Sequence, residues 1–354
     1  MHNPTFQRSS GWALLKCAAV AFVVAALAGC AQRPATQEPA TAPAADQEAL
    51  VMLPAGALTE AQLLQHPIRY YLDLPYAGND NPRQRLDVYV PEQPSYVPMP
   101  VVIYLHGGLW QSGDKAQAAE RMLGLVTSGD FAVVAMNYRL TDEAQWPAQL
   151  HDVKAAIRWV RAQSNRYGFD PQRIALWGHE AGGQLALASA MTNQAQDMAG
   201  NLGAYTHIRS DVAAVVNYSG ITDLNALLSH AGSIDRASST APEALLIGGL
   251  LRENSDIASA ASPIHYVRRQ APPVMSVYAN RDQVVPEAQG RVLHQRLEEV
   301  GTEHYLVQLT TAEENTPNAV TADSPWAQAD QRALAFLQRV LLGHLVTVDT
   351  QSIE

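Results

Sequence analysis

Short apolar runs that stop at glycine or a polar turn alternate with longer amphipathic stretches over most of this chain. The segments "PVVIYLHGG" (100–108), "FAVVAMNYR" (131–139), "RIALWG" (173–178), "DVAAVVNYSG" (211–220), "PPVMSVYAN" (272–280) and "HYLVQLT" (304–310) have strand length, and the first is an apolar run, Pro100 to Leu105, stopped by His106 and two glycines. A strand with no polar face is buried on both sides, as in a parallel sheet covered by helices. Helical spacing appears between them in "KAQAAERMLGLVTSG", "AGGQLALASAM", "EAQGRVLHQRLEEVG" and "AQADQRALAFLQRVLLG". It is clearest in "PAQLHDVKAAIRWVRAQSNRYG", where Leu150, Val153, Ile157 and Val160 line one face between a proline start and a glycine stop. Upstream, "IRYYLDLPY" and "RQRLDVYVP" flank the turn-rich "AGNDNP" and predict a hairpin at the sheet edge. The alternation predicts an α/β fold with a mostly parallel central sheet and helices on both faces. It fails only from about 221 to 267, which predicts a small cap inserted over the carboxyl end of the sheet.

The first 50 residues follow different rules. Arg8 and Lys16 precede the apolar run "AAVAFVVAALA", which is too short for a comfortable membrane span and ends in Leu27-Ala28-Gly29-Cys30. This arrangement resembles a bacterial lipoprotein signal peptide, residues 1–29. The resemblance implies that Cys30 carries lipid, that the membrane is a partner, and that the protein lies in the cell envelope. Ala31 resembles the outer-membrane sorting class. Cys17 and Cys30 are the only cysteines, so the folded part has no disulfide available. Residues 30–50, rich in Pro, Ala, Thr and Gln, lack the apolar side chains needed to fold and read as a tether. The predicted domain is then 51–344, followed by a tail at 345–354.

Composition narrows the function. The formal net charge is −10, and removing residues 1–29 takes Arg8 and Lys16 but no acid, which makes it −12. With no Lys/Arg cluster to offset that charge, a nucleic-acid partner is excluded. No His-Glu-x-x-His string or cysteine pair points to a metal, and nothing calls for a cofactor.

The chemistry-bearing strings fall on loops after strands: "HGGLWQSGDK" (106–115), "NYRL" (137–140) and "GHEAGG" (178–183). Together with "SPIHYV" and "APPV" they resemble the α/β-hydrolase fold from about Arg69 to Leu342. The similarity is to its esterase/lipase branch, feruloyl-esterase-like and arylformamidase-like, with an H-G-G-x-W oxyanion motif. That resemblance implies an oxyanion hole built from the backbone N–H groups near Gly107, Gly108, Leu109 and Ala181, with Trp110 beside it as a binding residue. It also implies an acid at Asp282.

Two positions depart from the family. The strand-to-helix turn that should present a serine reads Gly178-His179-Glu180-Ala181-Gly182, so Glu180 stands in the nucleophile's place. The loop that should carry the base histidine reads "TTAEENTPNAV", with Glu314 at the matching position. A carboxylate cannot relay a proton near neutral pH as an imidazole does. The expectation is therefore a catalytically impaired homologue whose Glu180 carboxylate fills its own oxyanion hole. Its expected partners are a small acyl or cationic ligand, or an envelope protein. Two other readings stay open: an active ester or amide hydrolase with a non-standard set around Glu180 and Asp282, and a structural or assembly lipoprotein. His106 and His179 are expected to brace their loops, and His151-Asp152 to be structural.

Overall fold

The computed structural model describes residues 68–230, 232–310 and 324–354, all within a compact unit spanning Met52–Glu354. Cys30, the tether and Glu314 lie outside the described residues. Eight strands form one sheet: β1 (Ile68–Pro75), β2 (Arg85–Pro91), β3 (Met99–Leu105), β4 (Ala132–Met136), β5 (Phe169–His179), β6 (Ala214–Tyr218), β7 (Val274–Ala279) and β8 (His304–Leu309). Their spatial order is β1-β2-β4-β3-β5-β6-β7-β8. Pairing is antiparallel for β1·β2 and β2·β4 and parallel from β4 through β8.

Strands β3, β4, β6 and β7 are buried at every position, as their almost wholly apolar sequences require, and the two polar exceptions, Asn217 of β6 and Ser276 of β7, bond each other. Each face of the sheet then needs a helical layer. The helices that supply most of it are α1 (Ala148–Ala162), α2 (Ala181–Met191), α3 (Ala288–Glu299) and α4 (Pro325–Leu342). Leu150, Val153, Leu185, Leu187 and Leu293 pack in one core cluster, while Trp326, Ala333, Phe336 and Leu337 pack in the other. Among the described residues no helix is long and apolar enough to cross a membrane.

The structure differs from the periodicity in two places. Residues 115–127 form a turn of 3-10 helix and two short helices, Ala118–Arg121 and Leu123–Thr127, instead of one continuous helix. Gly124 weakens helix propagation just beyond the break at Met122. Helix α1 is buried far beyond its apolar stripe, with Lys154, Arg158 and Arg161 also inside. Their stems lie along the core and their heads reach backbone carbonyls: Lys154 Nζ to Thr192 O, Arg158 Nη1 to Ala199 O and Arg161 Nη2 to Asp211 O. Burial lowers the Lys154 ammonium to about 8, and the nearby Arg158 and Arg268 push it the same way.

Between β6 and β7 the chain forms short helical pieces, including Asn225–Ser229, Pro242–Ile247 and Ser255–Ala260. They bury Leu227, Leu246, Ile247 and Ala258. Gln184 of α2 donates to Ala261 O at 2.7 Å, and Thr222 N donates to Gln289 Oε1 at 2.8 Å. These bonds join the insertion to the helices around the end of β5.

Candidate active site

The turn between β5 and α2 is built from close backbone contacts. A Cβ on Gly178 would fall 2.1 Å from Gly182 O, and one on Gly182 would fall 2.2 Å from Leu105 O. Both neighbours are main chain and cannot swing away, so the glycines are required for β5, α2 and the end of β3 to meet this closely. Between them Glu180 adopts φ 47°, ψ −108°, a conformation that costs a non-glycine residue roughly 1–3 kcal/mol. It is held by Glu180 N–H donating to Tyr218 O at 2.8 Å and by Gln184 N–H donating to Glu180 O at 2.9 Å. This is the geometry that projects a side chain outward from a strand-to-helix turn.

The loop after β3 faces that turn and carries three successive positive φ values, at Gly108 (101°), Leu109 (50°) and Trp110 (60°). Gln111 N and Ser112 N both donate to Gly108 O, closing the loop into a tight turn. Lys115 anchors its far side with ion pairs of 2.8 Å to both Asp73 and Asp87, and Asn137 Nδ2 donates to Asp114 Oδ2 at 2.8 Å. His106 stacks on Tyr138 with ring centroids 4.2 Å apart, and its Nδ1 is 2.8 Å from Gly107 O. Burial holds the His106 imidazole down at about 4, so the ring is neutral near pH 7. His179 is buried between the rings of Tyr104 and Tyr218, with Nε2 3.3 Å from the indole nitrogen of Trp177.

Loop and turn meet at one hydrogen bond: Gly108 N–H donates to Glu180 Oε2 at 3.1 Å. The same oxygen lies where a side chain on Gly107 would begin, 3.1 Å from an ideal Cβ there. The Glu180 carboxylate thus packs on the double glycine. It makes no side-chain cap to the N-terminus of α2, so Ala181 N–H is not among its donors. Trp110 sits behind this loop. It is wholly buried, and its indole N–H donates to Gln184 Oε1 at 3.1 Å. An indole N–H taken out of water needs an acceptor, which α2 provides through Gln184.

Asp282 lies just beyond β7 and is 5% exposed. Its Oδ1 accepts from Val284 N and Val285 N, both at 2.8 Å, while Oδ2 is buried with no partner among the described residues. Burial raises its pKa, the Val285 and Val284 N–H groups and the Ser219 hydroxyl draw it partly back, and the Glu180 charge pushes it up again. Three neighbouring features escaped the sequence reading. Ser219, directly after β6, is buried at φ 47° beside the Asp282 carboxyl. Arg236, in the insertion, is buried and ion-paired with Glu243; burial lowers its pKa and the Asp282 charge offsets part of that shift. His230 also reaches this side, since Gly232 sits between His230 Nε2 and Gln283 O. Irregular coil of this kind leaves no periodic signal to read.

The histidines nearest the base position in sequence lie elsewhere. His304 pairs with Val274, at the end of β7 opposite Asp282, and His344 Nε2 is 2.9 Å from the Tyr96 hydroxyl. His151 and Asp152 lie on α1, where Asp152 is buried and accepts from Arg139 Nε and Nη2 and from Gln84 Nε2. Among the described residues no group of three or more His, Cys, Asp or Glu side chains is placed to hold a metal ion.

With this geometry in view, the comparisons with known proteins decide the family. The BD-FAE family model matches residues 86–297, which contain the β3 loop, the Glu180 turn and Asp282. The chain belongs to the BD-FAE family. This BD-FAE protein is similar to two Mycobacterium tuberculosis proteins, esterase LipQ (33% identical over 65% of this chain and 53% of that protein) and esterase LipC (29% over 62% and 54%). The chain spans about half the length of these curated relatives. Among solved structures it resembles a truncated carbohydrate esterase from gut microbiota, with a TM-score of 0.70 and 27% identity, covering 77% of this chain and 96% of that one. Esterase B from Lactobacillus rhamnosis shares the fold at 20% identity, with a TM-score of 0.63, covering 80% of this chain and 90% of that one. The BD-FAE chain is therefore an esterase-family α/β-hydrolase, and its acidic residue at 180 occupies the strained turn of that fold.

Proposed function

We propose that this esterase-family protein binds without hydrolysing, as a catalytically impaired member of its family anchored in the bacterial envelope. One observation carries the reading: the residue on the strained turn is Glu180, and its carboxylate accepts the Gly108 N–H that an oxyanion would need. A hydrolase of this type requires a nucleophile, a base that takes its proton, and free donors for the developing charge. Here the nucleophile is a carboxylate, the donor is engaged, and among the described residues no histidine bonds Asp282. The ligand classes that fit a half-buried carboxylate beside a buried aspartate are a small acyl group held by the loop, a cation, or an envelope protein. Glu314 is the proposed replacement for the base.

Envelope anchoring rests on the Leu27-Ala28-Gly29-Cys30 string, which supports lipid on Cys30 and outer-membrane sorting. Mass spectrometry of the native membrane fraction is expected to find a chain beginning at an acylated Cys30. A mature chain that retains residues 1–29 would contradict it. The binding reading is tested with a serine-directed fluorophosphonate, which should leave the purified protein unlabelled under conditions that saturate an active serine esterase. Labelling at one serine, with Ser219 as the buried serine beside Asp282, would instead assign an active hydrolase with a non-standard catalytic set.

A further inference from the structure

We infer that a cavity at the amino end of the parallel strands is a second binding site, for an organic carboxylate with an apolar body. The cavity, of about 220 Å³, is lined by Arg69 and Tyr71 of β1, Val90 of β2, Met99 of β3, and Arg166 and Tyr167 just before β5. It is remote from Glu180. Met99 of β3 lines the cavity, and Leu105 at the other end of that strand pairs with Gly178 beside the Glu180 turn, which puts the two roughly 20 Å apart at the usual rise per residue.

Its chemistry is set by an imbalance of charge. No acidic residue lines the cavity, and neither Arg69 nor Arg166 makes an ion pair among the described residues. Their neighbours in the fold are matched, Arg161 with Asp211 and Arg173 with Asp170. Two guanidiniums with no ion pair among the described residues, around one recess in a chain of net charge −10, form a local positive site, and guanidinium geometry suits a carboxylate bidentately. The walls between them are apolar and aromatic. Tyr71 meets Tyr167 edge to face at 4.9 Å, and Arg166 lies over the Tyr167 ring at 5.4 Å, which holds its charge against the aromatic wall. The Tyr167 hydroxyl is buried in that wall with no partner among the described residues. Inorganic anions would satisfy the arginines and leave Val90, Met99 and the rings uncovered. An anion with a ring or branched chain satisfies both. The volume exceeds the ~150 Å³ that suffices for benzene in an apolar cavity, which makes benzoate a fitting probe.

Calorimetric titration tests the inference, with benzoate against benzyl alcohol, which keeps the ring without the charge, and against inorganic phosphate, which keeps the charge without the ring. Benzoate should saturate with a Kd on the order of 1 mM, and the other two should bind at least about tenfold more weakly. Arg69→Gln and Arg166→Gln should each weaken benzoate about five- to tenfold with unchanged melting, because both side chains are exposed. Arg281→Gln, at an exposed arginine next to Asp282 at the other end of the sheet, should bind benzoate as the parent does. Lack of saturable benzoate binding, equal binding by both arginine variants, or phosphate binding as tight as benzoate would overturn the proposal. Loss of benzoate binding in Arg281→Gln would also overturn it by placing the ligand at the other end of the sheet.

Discussion

Glu180→Ser is expected to bind butylphosphonate at least about tenfold more tightly than the parent and to remain a poor esterase. The serine side chain is two atoms shorter than the glutamate at the same strained turn and leaves Gly108 N–H to the incoming anion. The gain is in binding because the turn, the double glycine and the bracing by Lys115, Asp87 and Asn137 do not depend on the side chain at 180. Turnover should stay low because a serine hydroxyl without an adjacent base is a weak nucleophile. Combining Glu180→Ser with Glu314→His should raise ester hydrolysis at least about a hundredfold over either single change, since nucleophile and base act as a unit. If Glu180→Ser binds the phosphonate no better than the parent, the Glu180 carboxylate is not what closes the site. Melting curves of all three variants distinguish that result from loss of the fold.

The second large effect is on acid stability. Burial holds His106 at about 4 and His294 at about 3, against an ordinary imidazole value near 6.5, and the His304 charge lowers His294 further. A folded value below the unfolded one means that, as pH falls through 6.5, the unfolded chain takes up a proton that the folded chain refuses. Each such histidine therefore costs stability on acidification, about 1.4 kcal/mol per pH unit, down to its folded value. The buried Asp87, Asp152, Asp282 and Asp330, all raised by burial, act in the opposite direction, so the informative quantity is a difference between variants. His294 is the better target because it lies far from Glu180, with Nδ1 3.0 Å from His304 Nδ1. Denaturant unfolding of His294→Gln between pH 7 and 4.5 should lose about 2–3 kcal/mol less than the parent does. Equal losses would mean that His294 becomes charged without cost inside the folded protein.

The sheet was legible because β3, β4, β6 and β7 are apolar at nearly every position and each is stopped by a glycine, asparagine or aspartate-rich turn. The Glu180 turn was legible for a related reason: glycines two residues apart around one position are what the contacts of Gly178 and Gly182 demand. Side-chain destinations were less so. Sequence placed Glu180 beside four donors, and the fold gives it Gly108 N–H alone. The burial of Trp110 against Gln184 joins the loop after β3 to α2, a tertiary contact that the motif does not encode. The buried heads of Lys154, Arg158 and Arg161 reach carbonyls in the 192–211 segment, a tertiary cover that helical periodicity on α1 does not encode. Ser219 and Arg236 were missed because they become neighbours of Asp282 only when β6, the insertion and β7 close together.

The central claim, that this BD-FAE chain carries a turn and oxyanion loop without working catalysis, is tested most directly by short-chain ester turnover. p-Nitrophenyl butyrate hydrolysis is to be compared between the parent and Asp282→Ala at matched folded concentration, from pH 6 to 9. Equal rates, both without saturation, are the result this account predicts, because removing the acid cannot impair a proton relay that does not exist. Saturable hydrolysis by the parent that Asp282→Ala abolishes would contradict it.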